Sequence, residues 1–483
     1  MPFLKFVFSS AGALILAACA TVGPDYAAPD PAGLATSDLQ VDGAANSIDR
    51  EPAQRWWAAL EDETLNRLIE TAFNENRDLR QAAAHVKAAR SLLNLERINL
   101  RPTGEARAVY QRRRLTGAAF GLDELDFDDA EFFDIGVNAA WELDFFGRVR
   151  RATEAALADA QAAEFLRRDA QALIAAETAR AYIEYRGAAL QLDVAKRNLS
   201  VQRNSERLTQ RRLDEGLGSR LDVARAEAQA KTTEASIPPL EAAQIAAANR
   251  LATLTGTNVN AVISTLATGS QGLPPPPDTL PIGDIESLLR RRADIRAAER
   301  TLAAATARIG IAKADFFPRV TLAGGVSLAA QDIAGVGGDG SLGYGVGPTI
   351  TWSGFDIPRV RAQIEAAGAN AEAALAVYEQ SVLVALEETQ TSLAAYGRGR
   401  VRYDALAAAA AKARQAADLA RQRYDVGADD FLMVLDTEGR LLAAEASLAA
   451  SQTSVTVDFI RVYQALGAGW SVDLNTRTND QQL

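Results

Sequence analysis

Two periodicities share this chain. Between Val320 and Ala329, Val320, Leu322, Gly324, Val326 and Leu328 fall on one side, and Thr321, Ala323, Gly325, Ser327 and Ala329 on the other. The next segment sets Leu342, Tyr344, Val346, Ile350 and Trp352 against Gly343, Gly345, Gly347, Thr349 and Thr351. Period two with one apolar face predicts strands. Ile135, Val137, Ala139, Trp141 and Leu143 against Gly136, Asn138, Ala140, Glu142 and Asp144 predict another, and a weaker strand is predicted near Thr103 to Gln111. From Arg148 to about Leu213 no proline and one glycine, Gly187, interrupt a helical composition. At 1.5 Å per residue that helix reaches on the order of 100 Å. A second is predicted from about Arg359 to Asp425. Each stops at a glycine, Gly216 or Gly427, and shorter helices return over Leu221 to Leu254 and Phe431 to Leu466, giving two antiparallel hairpins of coiled-coil type.

The two sets of elements are one set repeated. Asn76 to Ala82 matches Arg292 to Ala298 at an offset of 216 residues, and Pro102 recurs as Pro318. Further along the offset is 211, pairing Arg148-Val149-Arg150 with Arg359-Val360-Arg361, Glu177 with Glu388, Arg212 to Gly216 with Arg423 to Gly427, and Glu227 with Glu438. A loop between the strands of one half has therefore lost five residues. The predicted organisation is a first repeat over 59–272, with its β-hairpin at about 102–146, and a second over 284–470, with its hairpin at about 318–356. Between them 273–283 contains the tetraproline Pro274 to Pro277, which favours a stiff extended linker. A tail, 471–483, follows.

The alternating segments fit a membrane barrel, of about 10 residues each with aromatic ends, and Trp141 and Trp352 sit at equivalent places suited to an interfacial aromatic girdle. Four strands cannot enclose a lumen, because single-chain barrels start at about eight. Several chains must share one.

Composition and the N-terminus locate the object. Hydrophobic residues make up 48% but aromatics only 6%, which favours closely packed, alanine-rich helices. The net charge of −11, with both signs mixed along the helices, argues against a nucleic-acid partner. Lys5 followed by the apolar Ala11 to Ala18 reads as a secretory signal over 1–18. The single cysteine, Cys19, follows at once, and Leu16-Ala17-Ala18-Cys19 resembles a bacterial lipoprotein processing box. Acylation at Cys19 would give a lasting anchor for the extended segment 19–58. An aspartate after the cysteine would resemble the signal that retains lipoproteins in the inner membrane; Ala20 stands there instead, which points to the outer membrane.

Taken together, Cys19 with Val22-Gly23-Pro24-Asp25-Tyr26 and Pro29, the Trp56-Trp57 pair with Leu65 and Leu68, Arg291 to Glu299, Phe316-Phe317-Pro318 and Tyr463 to Trp470 resemble the outer-membrane factors, the TolC-like efflux channels, in the lipoprotein branch that serves multidrug pumps. The resemblance implies a mainly α fold with a small membrane β-barrel portion. Three chains would supply a twelve-stranded barrel and a helical tunnel, reaching from the outer membrane into the periplasm. It implies as partners two further copies of the chain, a periplasmic adaptor of the membrane fusion type, an inner-membrane pump of the proton-driven resistance-nodulation-division type, and outer-membrane lipid. It also implies a periplasmic gate at the helical tips, on Tyr424, Asp222 and Asp436. In the internal repeat Arg225 corresponds to Asp436, so opposite charges occupy equivalent places on the two hairpins and cross-hairpin ion pairs become possible. Adaptor hairpins would dock at Gly216 and Gly427.

Catalysis is not expected. One histidine, His85, makes a histidine cluster impossible, and no nucleotide-binding lysine motif occurs. Gly338 to Gly343 spells GxGxxG but precedes a strand where a dinucleotide site needs a helix. No cofactor is implied beyond lipid on Cys19. The acidic run Asp123, Glu124, Asp126, Asp128, Asp129, Glu131 and Asp134 is a candidate cation-binding rim. The leading reading is a passive efflux duct. Protein export beside an ABC transporter shares these features, and a periplasmic coiled-coil scaffold would need no barrel.

Overall fold

The fold alternates short elements with very long ones. The computed structural model describes residues 21–30, 46–48, 50–114, 129–268 and 272–470. In chain order come β1 (Asn46–Ile48), a 3-10 turn (Trp56–Leu60), α1 (Glu63–Glu75), α2 (Arg77–Ile98), β2 (Thr103–Arg113), β3 (Ala130–Leu143), α3 (Arg148–Asp214), α4 (Arg220–Thr255) and α5 (Val259–Ala267). The second half follows the same plan: β4 (Thr279–Pro281), α6 (Ile285–Arg291), α7 (Ala293–Ala314), β5 (Arg319–Ala330), β6 (Leu342–Thr351), α8 (Ile357–Asp425) and α9 (Phe431–Ala465). The repeat is legible in lengths: α2 and α7 both have 22 residues, α3 and α8 have 67 and 69, and α4 and α9 have 36 and 35.

Local chemistry sets the ends of the long helices. The tip after α3 closes with Gly216 N–H on Leu213 O at 3.0 Å and Leu217 N–H on Arg212 O at 2.7 Å. Gly427 on Tyr424 at 2.9 Å and Ala428 on Arg423 at 2.8 Å repeat this Schellman closure. Gly216 and Gly427 have φ of 71° and 74°, where a side chain would be strained although a Cβ would meet nothing. The returning helices start on caps at equivalent positions. Ser219 accepts from Asp222 N–H at 3.1 Å, and Asp430 accepts from Met433 N–H at 3.2 Å. The halves differ at Pro238 and Pro239, through which α4 passes where α9 has Ala449 and Ala450.

Two compact units combine pieces of both halves. One comprises Met1–Pro29, His85–Ala163 and Ala297–Tyr378; the other comprises Asp30–Ala84, Glu164–Arg296 and Glu379–Leu483. The first holds the antiparallel sheet β2-β3-β5-β6. The second holds the main core, where Trp56 stacks on Tyr463 with centroids 5.5 Å apart and meets Phe459 edge-on. The small parallel pair β1-β4 also belongs to it, a contact that the linker's composition does not signal. The tetraproline lies outside helix and strand, Pro274 buried and Pro275 exposed.

Candidate functional site

The sheet carries two opposite surfaces. Its register aligns Ala106, Val137, Val326 and Tyr344 across the four strands, with Ala108, Ile135, Leu328 and Leu342 as the next apolar row. Tyr344 is 85% and Val346 80% exposed, so the strands turn their apolar side away from the chain's own core. The other face aligns Glu105, Asn138, Gly325 and Gly345, and beside them Arg107, Gly136, Ser327 and Gly343. Glycine there answers a packing demand: a Cβ on Gly325 would lie 2.2 Å from Asn138 Oδ1, and one on Gly136 2.7 Å from Ser327 Cβ. β2 and β6 each have one neighbour, which leaves two ladder edges unpaired among the described residues.

Trp141 and Trp352 close the two hairpins in the same way. The Trp141 indole N–H donates to Leu100 O, and that of Trp352 to Phe316 O, both at 3.0 Å. Both rings stay exposed, at 37% and 59%, with the polar edge satisfied by a backbone carbonyl. The chain's entry is bound to this unit. Arg151, buried among α3 and α7 residues, donates to Val22 O, Gly23 O and the Asp25 carboxylate, the last at 2.7 Å. Tyr26 O–H donates to Glu299 at 2.6 Å, and burial followed by that carboxylate raises the phenol's pKa. Cys19 lies outside the described residues, as do Asp123, Glu124, Asp126 and Asp128. Of the remaining rim acids Asp129 is bound by Arg112 at 2.9 Å, and Glu131 accepts from Tyr110 at 3.3 Å. Among the described residues no group of three or more acids, histidines or cysteines is arranged to hold a metal.

At the helical tips the expected gate residues are held one by one. Tyr424 packs edge-on against Phe431 and receives Arg212, whose guanidinium bonds its hydroxyl and lies 5.1 Å from the ring centroid. Asp222 completes a capping box, accepting from Ser219 Oγ at 2.7 Å. Asp436 pairs with Arg440, one turn on, at 2.9 Å. Arg225 is exposed and has no acidic partner within the chain among the described residues. Tyr424, Asp222, Asp436 and Arg225 are thus not joined to one another in one chain.

Other residues join the tip helices. Arg421 binds the buried Glu438, which also accepts from Ser205 at 3.1 Å. Arg423 grips Asp429 through two bonds of 2.6 and 2.9 Å, and this hydrogen bonding holds the Asp429 carboxyl below the usual carboxylate range. The repeat carried a signal for Arg212 and Arg423, since an arginine stands four residues before each tip glycine.

A second ionic cluster gathers around Arg292. This buried guanidinium binds Asp294 through two bonds, at 3.0 and 2.7 Å, Glu388 at 2.8 Å and Ala465 O at 3.0 Å. Burial opposes its charge, but Asp294 and Glu388 outweigh that and raise its pKa. Asp169 lines the same cavity of about 200 Å³ with Trp470. Burial, then the charge of Asp294, push its pKa up to about 6.

Comparison with known proteins gives these features a context. The family model described as outer membrane efflux protein matches residues 68–257 and 285–468. The toluene efflux pump outer membrane protein TtgF of Pseudomonas putida is 32% identical over 470 residues, covering 96% of each chain. Outer membrane protein OprJ of Pseudomonas aeruginosa is 31% identical over 95% of this chain and 94% of its own. The solved outer-membrane channel OprN superimposes with a TM-score of 0.84 at 39% identity, over 93% of this chain and 100% of that one.

Proposed function

The chain belongs to the outer membrane efflux protein family, and from that premise we propose that three copies join their sheets into one twelve-stranded barrel. This barrel is a passive duct, closed at the helical tips until a pump's partner proteins open it. The observation that carries the reading is the four-stranded sheet with its apolar face exposed and its two edges unpaired. In hydrocarbon an unpaired backbone group costs several kcal/mol, so such a sheet must close on other copies. Among the described residues no helix is long and apolar enough to cross a membrane, which leaves the strands to do so. The face of Glu105, Arg107, Asn138, Gly325 and Ser327 then lines a polar lumen.

The chain's place is the outer membrane, with lipid on Cys19 as an additional anchor. Its partners are a periplasmic adaptor docking at Gly216 and Gly427 and a proton-driven inner-membrane pump. Its cargo, by analogy with the toluene efflux relative, includes small apolar molecules. The glycine-rich face gives them no binding pocket, so selection falls to the pump. At the tips the bonds Arg212–Tyr424 and Arg423–Asp429 hold each chain's helices. Asp222, Asp436 and Arg225 face their partners across chains in the closed trimer.

The mass of the detergent-extracted protein, with bound detergent subtracted, tests the assembly. Three chains are expected. A stable monomer would leave the edges open in lipid and refute the duct.

A further inference from the structure

The internal repeat exposes a difference on the sheet-bearing unit. In the first half Arg150 is neutralised by Asp144, through its backbone N–H at 2.9 Å and its Nε at 3.2 Å. At the offset of 211 the second half has Arg361 in place of Arg150, but Phe355, fully exposed, in place of Asp144. Arg361 is exposed and has no acidic partner among the described residues, and neither has Lys313. Both line a cleft of about 490 Å³ whose walls are otherwise Val22, Phe316, Phe317 and Ile364, with Glu365 the one acid. Phe317 is fixed there by stacking on Phe146 at 4.6 Å, and Val22 by its N–H on Phe146 O at 3.1 Å. The cleft adjoins the Phe316 carbonyl that receives the Trp352 indole, at the end of the sheet where the interfacial tryptophans sit.

An apolar cleft rimmed by two free cations matches one chemistry: an amphiphilic anion. We propose that this cleft binds an anionic glycerophospholipid, its acyl chain against Val22, Phe316, Phe317 and Ile364 and its phosphate between Lys313 and Arg361. A neutral lipid would leave the two cations with Glu365 as their one counter-charge. The acyl chains of a Cys19 anchor would fill the cleft yet bring no anion to it. The first half does not repeat the pair of free cations, because Asp144 already occupies Arg150. The proposal rests on the outer-membrane location of the family and is independent of gating.

Native mass spectrometry of the full-length protein in detergent, titrated with phosphatidylglycerol or phosphatidylcholine, tests it. Preferential retention of phosphatidylglycerol is expected. Lys313→Gln with Arg361→Gln should weaken it on the order of thirtyfold, the effect of two basic groups beside anionic lipid. Phe355→Asp, an exposed change that restores the acid of the first half, should weaken it several-fold with folding intact. Conductance of these variants should equal that of the unchanged protein, which keeps failure here distinct from failure of the duct reading. Equal retention of the two lipids, or wild-type retention by the double variant, would overturn the proposal. So would a rise in phosphatidylglycerol retention in Cys19→Ser, which would assign the cleft to the anchor. Displacement by millimolar inorganic phosphate would reduce it to a simple anion site.

Discussion

Replacing Asp169 with asparagine should stabilise the protein at high pH and leave it unchanged at low pH. The carboxyl of Asp169 faces Asp294 and Glu388 across a cavity that Arg292 alone neutralises, and its pKa rises from 3.8 to about 6. A raised folded-state pKa means that the native protein holds a proton which the unfolded chain releases. Stability from this group is therefore complete below about pH 4 and is lost as pH climbs through about 6. Two units at about 1.4 kcal/mol each set a ceiling of about 3 kcal/mol above pH 7. Water reaching the half-buried carboxylate lowers this to roughly 1–2 kcal/mol. For 483 residues the unfolding entropy is about 1 kcal/mol/K, so Asp169→Asn should raise the Tm by about 1–2 °C at pH 8 and by nothing at pH 4. Thermal scans of the detergent-solubilised protein at one scan rate measure it. An equal rise at both pH values would show a packing effect, and a fall at pH 8 would show that the carboxylate is needed charged; either refutes the reasoning.

Other changes test the tips and the sheet. Arg212→Ala removes both the hydrogen bond and the ring contact on Tyr424, and should raise single-channel conductance in planar bilayers. Asp222→Ala with Asp436→Ala should raise it too if these acids face partners across chains, and unchanged currents would dismiss them as gate residues. Gly427→Trp adds bulk where a Cβ meets nothing, so adaptor binding should fall in pull-down while trimer mass is retained, at a backbone cost of about 1 kcal/mol. Gly325→Val drives a side chain into Asn138 and should lower the yield of assembled trimer, with Asn138→Ala restoring part of it.

Periodicity made the long elements legible. The strand predicted to Gln111 ends at Arg113, and the helix predicted from Arg148 to about Leu213 ends at Asp214, because alternation and a terminal glycine are local signals. The helix predicted over Leu221 to Leu254 runs through Pro238 and Pro239, both exposed, at a local penalty of about 3 kcal/mol for each proline. What pattern reading missed is the partners of single side chains. The pairings at the tip and around Arg292 join residues 212 and 424, or 292 and 388, and sequence separation hides such partners. The tandem repeat offered partial access to them, since it marked Arg212, Arg423, Glu388 and Glu438 as places where the two halves agree. Asp222 was marked by the family resemblance and not by the repeat, which places Met433 there; its evident task in the chain is to cap a helix, so a role towards another subunit is not readable from one protomer's pattern.

The paired prolines give the two hairpins unequal mechanics. At Pro238 and Pro239 two carbonyls one turn earlier lose their amide donors, and that point of α4 flexes under a smaller load than the uninterrupted ladder of α9 at Ala449 and Ala450. The proposed duct of three such chains would have six hairpins of nearly one length but two stiffnesses. Under a force shared equally among them, displacement would concentrate in three, so its mouth would deform with threefold rather than sixfold character.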